Sequence, residues 1–307
     1  MNRRGPICNP NWTFLVLSVF MAAALVISTL NYSYLVKLHG PLVPTDPAST
    51  TTKTTSTNVT PANYVQTGLS STTWNHLHHS INGNPRVLEA NQVFNSTNAK
   101  NMQLSWKSDI SSIPGRQPTT DGVSLYGCDT RGYLYKTNLI DGREDWKRSM
   151  EVITGVTGAK CGSTPLVHIN GLFVGDKRSG TLYKTNGELL WKVTLDAHAY
   201  ASITQTPSEY KGVIYVGVNT LEPHILRTEP NYPCCSFRGS VAAIASSSGK
   251  VYWRTQLLPD DDRKLSGLAV VNDSPVIDAN EGVIYVTTGP VYSASQHTLA
   301  NCFGATR

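Results

Sequence analysis

Four tryptophans recur through the middle of the chain, each near the end of a short β-like segment. Trp106, Trp146, Trp191 and Trp253 are separated by 40, 45 and 62 residues. The segments between them are rich in β-branched and aromatic residues, lack a helical spacing of apolar positions and are broken by Gly-containing turns. A repeat of about 40 residues with four strands per unit is typical of a β-propeller, because one such sheet cannot bury both faces alone.

The third repeat shows the expected strands most clearly. It predicts one strand pair at residues 203–209 and 213–218, joined by a turn at Lys211-Gly212, and a second pair at 240–245 and 251–255. The copies before it share the pattern G-x-L-Y-K-T-N at residues 132–138 and 180–186. We therefore predict an all-β partial propeller over residues 71–307, with about three full blades and an incomplete fourth.

The N-terminus has the pattern of a membrane anchor. Residues 12–30 are uncharged and mostly apolar, and about 20 residues of helix span a bilayer. Arg3 and Arg4 precede this run, so the positive-inside rule places the N-terminus in the cytosol and the propeller outside it. We predict a cytosolic tail at 1–11 and a single-pass transmembrane signal anchor at 12–35. A cleaved signal peptide is the alternative, and it leaves the propeller on the same side.

Residues 36–70 are predicted to be a disordered stalk rich in Ser, Thr and Pro. Glycosylation sequons lie beyond the apolar run at Asn31, Asn58, Asn95 and Asn272. The net charge of +5 is spread without a basic stripe, so we expect no nucleic-acid partner. The cluster at His76, His78 and His79 has no carboxylate beside it, which favours an ordinary loop over a metal site.

Five of the six cysteines follow the apolar run, where disulfides are permitted. Cys234 and Cys235 are adjacent, and adjacent cysteines close only an eight-membered ring when they bond to each other. The alternative is one ordinary disulfide from either of them to Cys128, Cys161 or Cys302. The sequence leaves both pairings open.

The repeats resemble those of the pyrroloquinoline-quinone (PQQ) type in quinoprotein alcohol dehydrogenases, and most closely the polyvinyl-alcohol dehydrogenase group. The resemblance covers about residues 74–293 and is carried by four short stretches: ITQTP at 203–207, GVNTLE at 217–222, YPCCSFRGSV at 232–241 and VIYVTTG at 283–289. It implies an oxidoreductase with PQQ and calcium as cofactors and a small alcohol or polyol as substrate.

The resemblance also implies site residues. Glu222 matches a calcium-binding carboxylate, and Thr204 matches a hydroxyl that contacts the cofactor. Arg238 is a retained basic residue of its motif, and in some family members a ring of adjacent cysteines, here Cys234 and Cys235, lies against the quinone. The structural alternatives are a solvated loop for Glu222, a strand position for Thr204 and an ion pair for Arg238. The catalytic base is not identified.

Two departures weaken the expectation of activity. Pro290 stands where the family has Asn or Asp, and the chain ends before the family's catalytic aspartate. We therefore expect the N-terminal part of a longer or truncated homologue, without alcohol dehydrogenase turnover, whose open propeller edges favour self-association. The alternatives are a non-catalytic extracellular propeller for binding or adhesion and a scaffold of the outer-membrane assembly type.

Overall fold

The computed structural model describes residues 34–39, 99–108, 117–260, 262–271 and 274–293. Within these ranges the chain forms three sheets of the expected blade type and part of a fourth. Every strand pair in these sheets is antiparallel, and each complete blade is built from strands that follow one another in sequence. The predicted all-β architecture is therefore confirmed.

The first blade has the strand order β2-β3-β4-β5. Its strands are β2 (Thr119–Thr120), β3 (Ser124–Cys128), β4 (Tyr133–Asn138) and β5 (Glu144–Ser149). Trp146 lies in the outermost strand, opposite Lys136. A short helix, α1 (Met150–Thr154), follows this strand, and its first turn is capped by the Ser149 side chain, which accepts a hydrogen bond from Val152 N–H.

The second blade repeats this arrangement in the order β6-β7-β8-β9. Its strands are β6 (Leu166–His168), β7 (Gly171–Gly175), β8 (Gly180–Thr185) and β9 (Leu189–Asp196). Strand β8 is buried along its whole length, whereas exposed and partly buried side chains alternate along most of β9. The outermost strand therefore has one face toward solvent, as expected at the rim of a blade.

The third blade contains five strands and one helix. They are β10 (Ala201–Ser202), β11 (Ser208–Tyr210), β12 (Val213–Thr220), α2 (Glu222–Thr228), β13 (Ser240–Ala245) and β14 (Val251–Gln256). The turn between β11 and β12 lies at Lys211-Gly212, as predicted, and both residues have positive φ, at 48° and 80°. Helix α2 lies in the insertion between β12 and β13, where the sequence predicted no element.

The predicted strand at 203–209 is wrong in its first five residues. Ser202 pairs with Asn219 and Ser208 pairs with Tyr215, so residues 203–207 lie opposite only three residues of β12. Ile203 N–H donates instead to Asp176 O of the second blade, at 2.8 Å. Pro207 has no N–H to give to a ladder. The segment 203–207 therefore leaves the sheet and crosses toward the neighbouring blade.

The fourth blade is incomplete in the part of the chain described here. It has the order β1-β17-β16, from β1 (Tyr34–His39), β16 (Val276–Asp278) and β17 (Val283–Thr288). A separate pair joins β15 (Ser266–Gly267) to β18 (Val291–Ser293). Strand β1 overlaps the predicted boundary between anchor and stalk at residues 35 and 36. Residues 36–39 are therefore strand rather than stalk.

The recurring tryptophans join successive blades. A Cβ on Gly142 would lie 2.6 Å from the Trp106 ring, one on Gly187 would lie 3.4 Å from Trp146, and one on Gly249 would lie 2.9 Å from Trp191. Each ring thus packs on the glycine turn of the next blade, and all three glycines have positive φ. This contact explains why the Trp and the turn glycine recur together.

The predicted transmembrane span at residues 12–30 lies outside the described residues, as do the four sequons and the histidine cluster. In the described ranges, no helix combines the length and apolar character needed to cross a bilayer. The only α-helices there are α1 and α2, of 5 and 7 residues.

Candidate functional site

The candidate site lies where β12 ends and the insertion of the third blade begins. Glu222 is the first residue of α2, and its side chain is fully buried, at 0% exposure. The insertion then returns through Cys234 and Cys235 to β13, beside Glu222. The alternative in which Glu222 lies on a solvated loop is therefore wrong.

The Glu222 carboxylate accepts four hydrogen bonds from the returning segment. Its Oε1 accepts from Tyr232 OH at 2.9 Å, Ser236 N–H at 2.9 Å and Ser236 Oγ at 3.2 Å. Its Oε2 accepts from Phe237 N–H at 3.0 Å. One buried carboxylate thus holds both ends of the segment that carries the cysteine pair.

These contacts set the ionisation of the site. Burial alone would raise the pKa of Glu222, but the backbone donors of Ser236 and Phe237, the Tyr232 hydroxyl and the electrostatic effect of the nearby His198 outweigh it, and the pKa is lowered. Burial, together with the hydrogen bond to Glu222 and its charge, raises the pKa of Tyr232 to about 12. The site therefore holds an ionised carboxylate and a neutral phenol at neutral pH.

His198 supports the site from the end of the second blade. Its Nδ1 accepts from Tyr200 N–H at 3.2 Å, so the proton of the neutral ring lies on Nε2. That Nε2 lies 3.0 Å from Ser236 Oγ and 3.6 Å from Glu222 Oε1. With the proton on Nε2, the ring cannot take a proton from Ser236, so this trio is not a nucleophilic triad.

Cys234 and Cys235 are bonded to each other, with Cα atoms 3.0 Å apart and a cis peptide bond between them. Cys128 and Cys161 form the other disulfide among the described residues, and Cys302 lies outside them. The ring pairing is therefore the one that the structure contains. Both ring cysteines are half-buried, so the ring has a face open to its surroundings.

Thr204 is connected to Glu222 through a chain of hydrogen bonds. Its Oγ1 accepts from Asn219 Nδ2 at 2.8 Å, and Asn219 Oδ1 accepts from Thr220 N–H at 2.7 Å. Thr220 Oγ1 then accepts from Glu222 N–H at 3.1 Å. The structure thus connects Thr204 to the backbone N–H of Glu222, at the start of α2.

Buried polar atoms without a partner flank Thr204. Among the described residues, no group forms a hydrogen bond with Ser202 Oγ, Thr206 Oγ1 or either amide atom of Gln205. All three side chains are fully buried, at 0% exposure. An unpaired buried polar atom is costly, so such a group implies a water molecule or a polar ligand nearby.

Arg238 points away from this network. Its guanidinium donates to the carbonyls of Leu258, Pro259, Asp262 and Leu265, at 2.6 to 3.3 Å. It therefore holds the loop that follows β14, and its partners are backbone carbonyls rather than the carboxylate of an ion pair. Pro290 likewise has a backbone role, because its carbonyl accepts from Leu268 N–H at 3.0 Å.

Sequence reasoning did not identify the residues that surround Glu222. Tyr232 and Ser236 flank the cysteine pair within the quoted motif, so their positions were visible although their contacts were not. His198 lies in another blade, and no pattern links it to the insertion. In the described ranges, no cluster of three or more His, Cys, Asp or Glu side chains is placed to hold a metal ion.

Comparisons with known proteins support the resemblance. The chain is 24% identical over 230 residues to a polyvinylalcohol dehydrogenase of Pseudomonas sp., a match that covers 68% of this chain and 35% of that protein. It is 25% identical over 209 residues to a polyvinylalcohol dehydrogenase of Sphingopyxis sp. strain 113P3, covering 62% and 31%. The chain thus spans about a third of the length of these curated relatives.

A solved structure shows the same fold. The quinohemoprotein alcohol dehydrogenase of Pseudomonas putida HK5 superposes with a TM-score of 0.53 at 19% identity, covering 72% of this chain and 35% of that protein. No family model matches the chain. The predicted resemblance is nevertheless confirmed: the chain is similar in sequence to the polyvinylalcohol dehydrogenases and in fold to a quinohemoprotein alcohol dehydrogenase.

Proposed function

We propose that the chain is a quinone-binding propeller of the alcohol dehydrogenase type, with pyrroloquinoline quinone beside the ring of Cys234 and Cys235. The observation that carries the proposal is the ring itself. Adjacent cysteines bonded to each other are uncommon, and here they lie in the stretch that most specifically resembles the family. The similarity to polyvinyl-alcohol dehydrogenases supports the same conclusion.

The ring and the buried polar segment 202–206 each offer a kind of contact that an aromatic, polar-edged ligand needs. The half-buried ring supplies a compact surface for a flat molecule, and the Thr204 hydroxyl keeps a proton to donate because its oxygen accepts from Asn219. Ser202, Gln205 and Thr206 bury polar atoms that lack partners among the described residues. A bound quinone supplies hydride-accepting chemistry. The contribution of the protein is to hold it against this polar segment.

Calcium, the second cofactor that the resemblance implies, does not fit Glu222 as the structure has it. Calcium takes about six to eight oxygen ligands. Glu222 Oε1 already accepts three hydrogen bonds, and among the described residues no group of three or more His, Cys, Asp or Glu side chains is placed to hold a metal ion. Glu222 therefore serves the protein donors around it and is not arranged as a calcium ligand.

The substrate that we propose is a small alcohol or polyol, by similarity to the relatives. We keep the prediction that this chain does not turn such alcohols over. General base catalysis needs an acceptor free to take the alcohol proton. Among the described residues the candidate site has one carboxylate, Glu222, and its lowered pKa and its hydrogen bonds to protein donors make it a poor acceptor for that proton.

We further propose that residues 12–30 anchor the propeller to a membrane, with the N-terminus cytosolic. The support is the uncharged apolar run and the preceding arginines. Protease treatment of sealed vesicles with the cytosolic face outward tests this: a protected propeller is expected, and a digested one contradicts the orientation.

A non-catalytic binding module is the second candidate. It is favoured by Arg238, which the resemblance linked to the cofactor but whose guanidinium is engaged by four backbone carbonyls. These carbonyl contacts explain the presence of Arg238 without a bound ligand.

Equilibrium dialysis of the full chain against PQQ distinguishes the two candidates. We expect saturable binding by the native chain, and weaker binding by the Cys234→Ser/Cys235→Ser variant. Dye reduction with short alcohols is expected to stay at background. Absence of PQQ binding to the native chain contradicts the proposal and favours the binding module, whereas PQQ-dependent turnover contradicts the prediction of inactivity.

A further inference from the structure

We propose that Glu222 is a positioning residue that holds the Cys234–Cys235 ring, and that it is not a metal ligand. The residue is the first of α2, whereas its four hydrogen-bond donors lie 10 to 15 residues later in the chain. The hydrogen bonds of this buried carboxylate therefore fix the position of the loop that supplies the donors.

The count of acceptor sites supports this assignment. A carboxylate has about four lone-pair positions. Tyr232 OH and both donors of Ser236 occupy Oε1, and Phe237 N–H occupies one position on Oε2. One position on Oε2 stays open to a single contact, but a cation that bound both oxygens would have to displace donors that pair with the carboxylate at 2.9 to 3.2 Å. Two of those donors are backbone N–H groups, which would then lose their acceptor.

The geometry fixes the ring from both sides. Tyr232 precedes the cysteine pair by two residues, and Ser236 follows it directly. Both residues donate a hydrogen bond to Oε1 of Glu222. Within the segment, Cys234 N–H donates to Tyr232 O at 2.7 Å. The five residues 232–236 thus form a short arch whose two ends meet at one buried charge, with the disulfide ring near its top.

A second layer of contacts supports the arch. The Tyr200 and Tyr232 rings meet edge to face with centroids 5.2 Å apart, and His198 meets Phe237 in the same way at 5.5 Å. Both supporting residues come from the loop after β9, where Asp196 accepts from His198 N–H at 2.8 Å. The second blade therefore supports the same arch that Glu222 holds in the third.

The role of the arch in binding rests on the proposed function, because it assumes that the ring contacts the quinone. The hold of Glu222 on the ring does not rest on it. Separate experiments therefore test the two parts.

The first test measures how readily the ring is reduced. The full chain is exposed to a phosphine reductant, and the freed thiols are alkylated and counted at each disulfide by mass spectrometry. Tyr232→Phe removes one hydrogen bond to Glu222 and leaves both carboxylate oxygens in place. We expect it to speed reduction of the Cys234–Cys235 bond roughly tenfold, the factor that one hydrogen bond to a charged group supplies. The buried Cys128–Cys161 disulfide serves as an internal control.

Tyr126→Phe is the matched control for this variant. Tyr126 OH also donates to a carboxylate, Asp121 Oδ2, at 2.9 Å, but in the first blade. The Tyr126→Phe variant is expected to leave the reduction rate of the Cys234–Cys235 ring unchanged. A ring rate that is the same in Tyr232→Phe and in the native chain would overturn the proposal.

The second test asks whether Glu222 binds calcium. Thermal unfolding of the native chain and of Glu222→Gln is followed with excess calcium or with chelator. Glu209→Gln is the control, because Glu209 is a buried carboxylate of the same blade, at 3% exposure. We expect calcium to have no effect that depends on Glu222. Stabilisation of the native chain by calcium that Glu222→Gln abolishes and Glu209→Gln retains would overturn the proposal.

The link to function is tested by dialysis of Tyr232→Phe against PQQ. We expect an affinity at least several-fold weaker than that of the native chain, whereas Tyr126→Phe binds normally. Equal affinity in Tyr232→Phe and native chain contradicts the link. If the native chain binds no PQQ, the proposed function fails, and the reduction rates still decide the role of Glu222.

Discussion

Removal of the Trp191 side chain tests how the blades are joined. The ring packs on Gly249 of the next blade, lies 5.6 Å from the Phe173 ring and donates from Nε1 to Ser246 O at 3.3 Å. Trp→Ala changes at fully buried positions cost about 3–5 kcal/mol. Trp191 is only half-buried, so we take the lower end, about 3 kcal/mol.

This loss converts to a measurable shift in melting temperature. A domain of about 150–250 residues loses about 2–4 °C for each kcal/mol, so Trp191→Ala is expected to melt about 6–12 °C below the native chain. In the variant, Ser246 O still accepts a hydrogen bond from Lys184 Nζ, at 3.0 Å, so this carbonyl is not left without a donor. The shift therefore reports the lost packing between blades.

Leu190→Ala is the matched control. Leu190 is the neighbouring residue of the same strand and is 46% exposed, so its truncation is expected to change stability by no more than about 0.5 kcal/mol. Thermal unfolding followed by circular dichroism compares the two variants. If Trp191→Ala melts no lower than Leu190→Ala, the blades are not joined through the tryptophan.

Three further predictions concern other parts of the chain. Burial opposes the ionisation of Asp129, but Tyr133 N–H, Lys147 and Arg131 outweigh it and lower its pKa. The stability that results is present above a pH of about 4 and is lost as the pH falls through the folded-state pKa. Asp129→Asn should therefore flatten the acid-unfolding curve in that range. Cys128→Ser opens a disulfide that spans 33 residues and should cost about 4 kcal/mol in denaturant titration, whereas an unchanged midpoint would contradict this. Arg238→Ala should expose residues 258–265 to limited proteolysis, and equal resistance would show that its four carbonyl contacts do not hold the loop.

The blades were predictable because their determinants are local. A strand pattern, a turn glycine and a tryptophan lie within about 15 residues in each repeat, and the structure places them as expected. The recurrence of Trp106, Trp146 and Trp191 indicated packing between blades, but not that the partner of each ring is the glycine turn of the following blade. Trp106 makes this contact although the structure has no strand there. Contacts between repeats depend on how the sheets stack, which a single repeat does not encode.

The surroundings of Glu222 were not predictable for a related reason. Helix α2 has 7 residues, too few for a helical period, and its N-cap Leu221 makes no side-chain capping bond. The burial of Glu222 depends on donors that return 10 to 15 residues later and on His198 from another blade. Short motifs therefore located the ring and the carboxylate but could not show that one holds the other.

The segment 203–207 shows the opposite failure. Its apolar and β-branched residues predict a strand, yet Ile203 donates to Asp176 of the neighbouring blade and Pro207 interrupts the ladder. Contact between blades overrides local propensity here. The same departure buries the unpaired polar atoms of Gln205 and Thr206, which makes this segment part of the candidate site.

The proposed quinone site is tested most directly by circular dichroism of PQQ in its own absorption bands. Free PQQ is achiral and gives no such signal, whereas a quinone held beside the Cys234–Cys235 ring must acquire one. We predict an induced signal with the native full chain that saturates with added PQQ and is lost in the Cys234→Ser/Cys235→Ser variant. An absent signal, or an equal signal in the variant, would contradict the claim that the ring forms a quinone site.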